Sequence, residues 1–386
     1  MKGFLYVVLF TLLTALCWGV YGPALQTGQL ALRESILDPP VPWRAFICVG
    51  IAYFLIAVLV PLVWLKLSGE KGGWTTPGFI WSFIAGAAGA IGALGIILAF
   101  TNRGNPVYVM PLVFGIAPVV NTFTTMYMSK TFKDVGPIFL AGLILVVVGA
   151  VTVLFTKPNP VRPVVKDLHE TPDGKISFTL VKKDGADEKV ISEISGYTLA
   201  ELEQKEKPAA AAYLASKRGP ITARNWAVII FSILLTGVTW GVYGPTLHKG
   251  QIAMNGSRLR PFICVGLAYL AIAVIVPFAL LGSIEPNASF NLPGTSWSLI
   301  AGAAGAIGAI GIIMAFNLGG KPIFVMPLVF GLAPVINSFV ELFRSNLVHE
   351  IGPLFYAGLL LVIAGAVTVL LFAPRAKPHA LEPAKH

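Results

Sequence analysis

Block after block of this 386-residue chain is written twice, in the same order. WGVYGP stands at 18–23 and again at 240–245, and RAFICVGIAY (44–53) returns as RPFICVGLAY (260–269). IAGAAGAIGALGIILAF (84–100) returns as IAGAAGAIGAIGIIMAF (300–316), VMPLVFGIAPVVN (109–121) as VMPLVFGLAPVIN (325–337), and GAVTVL (149–154) as GAVTVL (365–370). Such self-similarity bounds the fold before any single residue is considered. The repeated text is also apolar over lengths such as 78–100, enough for a helix to cross the roughly 30 Å hydrocarbon layer of a bilayer. Each copy divides into five such stretches: 4–25, 44–66, 78–100, 106–128 and 135–156, then 226–247, 260–281, 295–316, 322–343 and 351–373. Five is odd, so the first copy ends on the side opposite its start and the second must enter upside down. The expected fold is therefore all-α and polytopic: ten transmembrane helices in two inverted five-helix repeats, with a small soluble insert between them.

Composition agrees. The chain is 56% hydrophobic and only 12% charged, against about a quarter charged in soluble domains. The net charge of +10 suggests a nucleic-acid partner at first sight. The basic residues, however, sit in loops, tails and insert, where membrane proteins keep them, and no basic face alternates with aromatics. Nucleic acid is excluded on that ground. The N-terminal MKGFLYVVLFTLLTALCWG has the look of a signal peptide, but its counterpart WAVIIFSILLTGVTWGVYGP (226–245) reads the same mid-chain, so both read as spans.

Four segments follow: a first repeat at 1–156, a hydrophilic insert at 157–224, a second repeat at 225–373 and a tail at 374–386. Short loops on the side of the termini carry Lys66, Lys71, Lys130, Lys133, Arg258, Arg260 and Lys321, while those opposite carry Arg33, Arg44, Arg103 and Arg344. The positive-inside rule then predicts an inner-membrane protein with both termini cytoplasmic and the insert outside. Within the insert, KISFTLVKKDGADEKVISEI (175–194) alternates around a Lys-Asp-Gly turn and predicts a β-hairpin. TLAELEQKEKPAAAAYLASK (198–217) predicts a helix interrupted at Pro208.

The five-span repeat, the Gly/Ala-rich third span, the MPL-F-G-AP of the fourth and the WG-Y-P closing the first together resemble the drug/metabolite transporter superfamily. The ten-span branch is the nearest in pattern, including members that take up glucose, ribose or rhamnose. The resemblance covers 1–156 and 224–373. It implies a secondary-type transporter that works by alternating access on a small neutral or zwitterionic solute.

Few residues in the spans can carry chemistry. Gly86, Gly89, Gly92 and Gly95, with Gly302, Gly305, Gly308 and Gly311, recur every third position; lacking a Lys-Ser/Thr, they read as a close-packing face rather than a phosphate loop. Pro111 and Pro118, with Pro327 and Pro334, are expected to break the fourth and ninth spans and free a carbonyl one turn back. Asn121 and Asn337 follow them, and a buried amide needs either a neighbouring helix or a solute; symmetry would put both near the midplane as substrate contacts. Trp18, Tyr21, Trp240 and Tyr243 are read as interface aromatics or as a stacking wall at an irregular helix end, and Tyr53 and Tyr269 as further substrate contacts. Glu341 is the one intramembrane acid and thus a candidate coupling site, the alternative being a pair with Arg344 across one turn.

Cys17, Cys48 and Cys264 are scattered and form no disulfide framework. His169, His248, His349, His379 and His386 show no metal-ligand spacing. Neither a catalytic constellation nor a cofactor or metal site is expected. The anticipated partners are a small-molecule solute and the lipid bilayer, with a homodimer left open. The competing function is a membrane sensor or scaffold acting through the insert.

Overall fold

Proline and a capping side chain set the start of the third membrane helix in each half. The computed structural model describes residues 2–33, 41–104, 106–158, 163–184, 187–217, 221–285 and 289–372. The first half contains α1 (Lys2–Ala31), α2 (Pro42–Leu67), α3 (Thr76–Thr101), α4 (Pro106–Ser129) and α5 (Pro137–Thr156). The insert supplies β1 (Val164–Glu170), β2 (Lys175–Asp184), β3 (Asp187–Thr198), α6 (Leu199–Lys205) and α7 (Lys207–Lys217). The second half contains α8 (Ala223–Ala253), α9 (Leu259–Ser283), α10 (Leu292–Asn317), α11 (Pro322–Arg344) and α12 (Pro353–Phe372). Ten of these helices are long and apolar enough to span a bilayer, which makes this an integral membrane protein with an all-α membrane part. Leu5, Leu12, Phe123, Ile144, Phe231 and Leu360 stay exposed on their outer faces, as lipid-facing positions do.

The helices begin as their sequences dictate. Thr75 accepts from Gly78 N at 3.1 Å ahead of Pro77, and Asn291 accepts from Gly294 N at 2.8 Å ahead of Pro293. Each of these caps also reaches across: Thr75 Oγ1 donates to Ala253 O at 2.9 Å and Asn291 Nδ2 to Ala31 O at 2.7 Å. An end carbonyl of each half's first helix is thus satisfied by the other half's third.

Contacts recur in this way throughout, with the halves exchanged. α1 runs antiparallel to α10, and α8 antiparallel to α3. Thr14 donates to Gly308 O at 3.0 Å, and Thr236 to Gly92 O at 3.1 Å. A Cβ on Gly86 would lie 2.6 Å from Val265 Cα, and one on Gly302 2.7 Å from Val49 Cα. α5 packs on α12 through Gly149 against Val362 and Gly365 against Val146. The glycine string is therefore a close-packing face: Gly86 and Gly302 receive backbone, and Gly89, Gly92 and Gly95 with their counterparts receive tyrosine, tryptophan and threonine side chains, the packing expected of small residues in membranes.

Two expectations about helix irregularity are corrected. WGVYGP does not end a helix: α1 continues through Pro23 to Ala31, and α8 through Pro245 to Ala253. Nor do the prolines of the fourth and ninth spans break them. α11 is continuous through Pro327 and Pro334, and α4 through Pro118; the side chain of Pro111 lies outside the described residues. Each proline removes one hydrogen bond and crowds the carbonyl one turn back, yet the helix carries on past it. The carbonyls of Pro118 and Pro334 take the hydroxyls of Thr122 and Ser338, both at 2.9 Å. The real irregularities are π-turns at Leu55–Leu59 in α2 and Leu270–Ile275 in α9. Pro61 and Pro277 stand two residues beyond them.

The insert is a three-stranded antiparallel sheet in the order β1-β2-β3. The predicted hairpin is β2–β3, with its turn outside the described residues; β1 is an addition, joined to β2 by Thr-Pro-Asp-Gly with Gly174 at φ 75°. Ile176, Phe178, Leu180 and Ile194 pack against Leu202, Ala209 and Tyr213 of the two helices. Thr198 and Glu201 form a capping box at the start of α6, and Pro208 stands in the first turn of the second helix, α7. Glu170 accepts from the Tyr213 hydroxyl at 2.6 Å and pairs with Lys217 at 2.6 Å. That bond to the carboxylate pushes the Tyr213 hydroxyl up to about 12.

Candidate functional site

A stripe at helical spacing builds the first wall of a cleft: Trp18, Tyr21, Leu25, Gln26 and Gln29 of α1. Positions three and four apart share one helix face, so these side chains stack along the axis. α3 faces them with Gly89, Ala93, Ile96 and Phe100, also one stripe, and α4 adds Met110 and Phe114. α8 contributes Trp240 and Tyr243, Gly305 and Asn337 come from α10 and α11, and Tyr53 and Tyr269 complete the lining. The cleft holds about 940 Å³ of atom-free space, part of it open to the outside. No Asp, Glu, Lys, Arg or His occurs among these lining residues.

The two tryptophans have fixed roles. Trp18 Nε1 donates to Gly305 O and Trp240 Nε1 to Gly89 O, both at 3.3 Å. With the ring N–H occupied, only the ring faces remain for a ligand. Trp18 meets Tyr243 edge-on at 5.9 Å, and Trp240 lies 6.4 Å from Phe114. The Tyr243 hydroxyl is buried with no hydrogen-bond partner among the described residues. Leaving a buried donor unmade is costly. The side chains of Asn337, Gln26 and Gln29 also make no hydrogen bond among the described residues.

The cleft is open at the end where α1 finishes and sealed where α8 finishes. The sealing residues are the sequence counterparts of the open ones. Gln29 is half-buried, whereas Gln251 is buried and donates to Ile313 O at 3.1 Å. Met110 and Phe100 are half-buried, whereas Met326 and Phe316 are buried. Gln26 is exposed, whereas His248 packs edge-on against Phe316 at 4.9 Å. At the sealed end Met326 fills the space beside Gly244; at the open end Gly22 has only the Asn337 amide near it.

Seven of the predicted contacts therefore come together: Trp18, Tyr21, Tyr53, Trp240, Tyr243, Tyr269 and Asn337. Asn121 is apart from them. It is fully buried and donates to Pro322 O at 3.0 Å, so the two amides do not share the cleft as symmetry suggested. Glu341 is not a lining residue and does not pair with Arg344. It pairs with Lys157 at the end of α5, while Arg344 Nη1 reaches Pro23 O at 3.4 Å. Gln26, Gln29, Phe100, Met110 and Phe114 were not anticipated. The signal for the glutamines was present, since they continue the Trp18–Tyr21 stripe beyond the expected end of the span at residue 25.

No family model and no curated protein matches the sequence. Eleven chains of solved structures match the fold. One, described only as "Crystal structure of protein", aligns over 95% of this chain and 97% of its own, with a TM-score of 0.57 at 14% identity. At that identity the likeness speaks to the fold alone.

Proposed function

We propose that this chain is a secondary-type transporter that carries a small neutral or zwitterionic solute, such as a sugar, by alternating access. The two halves are read as inverted five-helix repeats of a drug/metabolite transporter, in the inner membrane, with both termini cytoplasmic. The observation that carries the reading is the unequal cleft: one end stands open and the other is sealed by the same residue types from the opposite half. Exchanging the two halves' conformations would open the sealed end and close the open one, which is how repeat-built transporters alternate. The uncharged lining supports an uncharged cargo, because a net charge would enter without a partner. The indole and phenol faces supply stacking, and the amides supply hydrogen bonds.

The test is a thermal-shift screen of the purified protein against sugars, amino acids and nucleosides, followed by uptake into liposomes. A solute that binds only the folded state raises the melting temperature, and Asn337→Ala should abolish both the shift and the uptake. A protein that imports no solute class tested, or an Asn337→Ala variant that transports normally, overturns the assignment. The second reading, a sensor or scaffold, draws on the insert having its own core. Deleting 165–216 separates the two: transport survives if the bundle does the work.

A further inference from the structure

The segments VMPLVFGIAPVVN and VMPLVFGLAPVIN carry the same chemistry, yet their asparagines are held differently. Asn121 Nδ2 donates to the carbonyl of Pro322, the first residue of α11, at 3.0 Å. Asn337 has no hydrogen-bond partner among the described residues and lines the open cleft. Its Nδ2 lies 3.0 Å from where a Cβ on Gly22 would stand, so a bulkier residue there would press on it. The counterpart of Pro322 is Pro106, the first residue of α4. Since the local sequences agree, the difference must come from the arrangement: the amide at the sealed end ties two helices, and the amide at the open end ties nothing.

We infer that Asn121 and Asn337 are the two halves of an exchanging latch. At the sealed end, Asn121 holds α4 to the start of α11. When the α1 end closes, Asn337 donates to the Pro106 carbonyl and holds α11 to the start of α4, while Asn121 is released into the newly opened cleft. Asn121 thereby gains the role its counterpart has here, which accounts for an amide that sequence symmetry placed in the site and this state keeps out of it. The inference rests on the alternating-access reading above.

Distances between paired spin labels read both ends directly, without any transport assay. In full-length protein with Cys17, Cys48 and Cys264 replaced by Ala, labels at Leu30 and Leu112 report the α1 end and labels at Ile252 and Leu318 the α8 end. The unsubstituted background should show two distances at each end, with opposite occupancies. Asn121→Ala should raise the ratio of open to closed α8 ends about fivefold, the worth of one neutral hydrogen bond. Asn337→Ala should shift the equilibrium about fivefold the other way, and it keeps the test sound if Asn121→Ala fails to fold. Two populations that neither substitution moves would overturn the latch and leave alternating access standing. A single distance at each end of the background protein would overturn both.

Discussion

The rings of Tyr53 and Tyr269 lie face to face, centroids 3.7 Å apart and planes 1° from parallel. Each is the sequence counterpart of the other, and each abuts a glycine of the opposite half's third helix: Gly305 meets Tyr53, and Gly89 meets Tyr269. A residue can touch its own counterpart only where exchanging the halves maps a place onto itself. This stack marks that place, and it forms part of the cleft lining. The glycines on either side leave the two rings room to meet in this way.

The glycines of α3 and α10 should accordingly tolerate no side chain. A methyl at Gly92 or Gly308 would run into the Trp240 or Trp18 ring. Gly92→Ala and Gly308→Ala are each expected to cost about 1–3 kcal/mol, the usual penalty for overpacking, measured by denaturation in detergent. Gly282→Ala is the control, since nothing lies within 4 Å of its Cβ position. Equal stability for all three would contradict the packing described.

The membrane part was legible from sequence because lipid enforces it: ten apolar stretches of spanning length leave the backbone one solution. The aromatic lining of the cleft was legible because Trp18, Tyr21 and Tyr53 are large polar-edged residues that recur at the same places in the second half. Three-dimensional pairing was not. Nothing local to Glu341 names Lys157, which stands at the start of the insert 184 residues away, and the nearer Arg344 was the natural but incorrect partner. The fate of Asn121 was also hidden, since a sequence repeat is symmetric and one conformational state of it is not. β1 escaped because VVKDLHE alternates weakly, although the Thr-Pro-Asp-Gly after it is a turn with a mechanism.

Tyr243 separates binding from stability. Its hydroxyl is buried and has no partner among the described residues, so Tyr243→Phe should leave the melting temperature unchanged or raise it by removing an unmet hydrogen bond. Solute affinity should fall about tenfold, the worth of a hydrogen bond or slightly more. Calorimetric titration alongside thermal denaturation checks both. A variant that loses stability and keeps its affinity would mean the hydroxyl serves the fold.

Glu70 should make stability depend on acid. It stands beyond α2 and accepts from Ser257 Oγ at 2.7 Å, from Arg258 N at 2.9 Å and from Arg258 Nε at 3.1 Å. Burial by itself would raise its pKa, but these bonds outweigh burial and hold the carboxyl below its ordinary value. A depressed carboxylate contributes stability that is present above its unfolded pKa and lost as pH falls through the folded one. Melting temperature should therefore drop as pH falls below the ordinary carboxylate range, and Glu70→Gln should flatten that dependence while costing about 1–3 kcal/mol at neutral pH. Glu285 mirrors the arrangement, accepting from Trp43 N at 2.8 Å and pairing with Arg44 at 3.3 Å.

Glu341 distinguishes a structural tie from a coupling group. Its carboxylate pairs with Lys157, whose side chain is only 7% exposed. Removing one member of a buried pair leaves the other charge uncompensated, at a cost of about 3–5 kcal/mol when both are buried. Glu341 is 32% exposed, so Glu341→Gln should cost less, about 1–3 kcal/mol, because water screens the pair. The pH dependence of solute uptake should not change, because the carboxylate is not part of the cleft lining. Uptake into liposomes with and without an imposed proton gradient measures this. A variant with wild-type stability that loses its response to the gradient would return Glu341 to the transport cycle and demote Lys157 to a bystander.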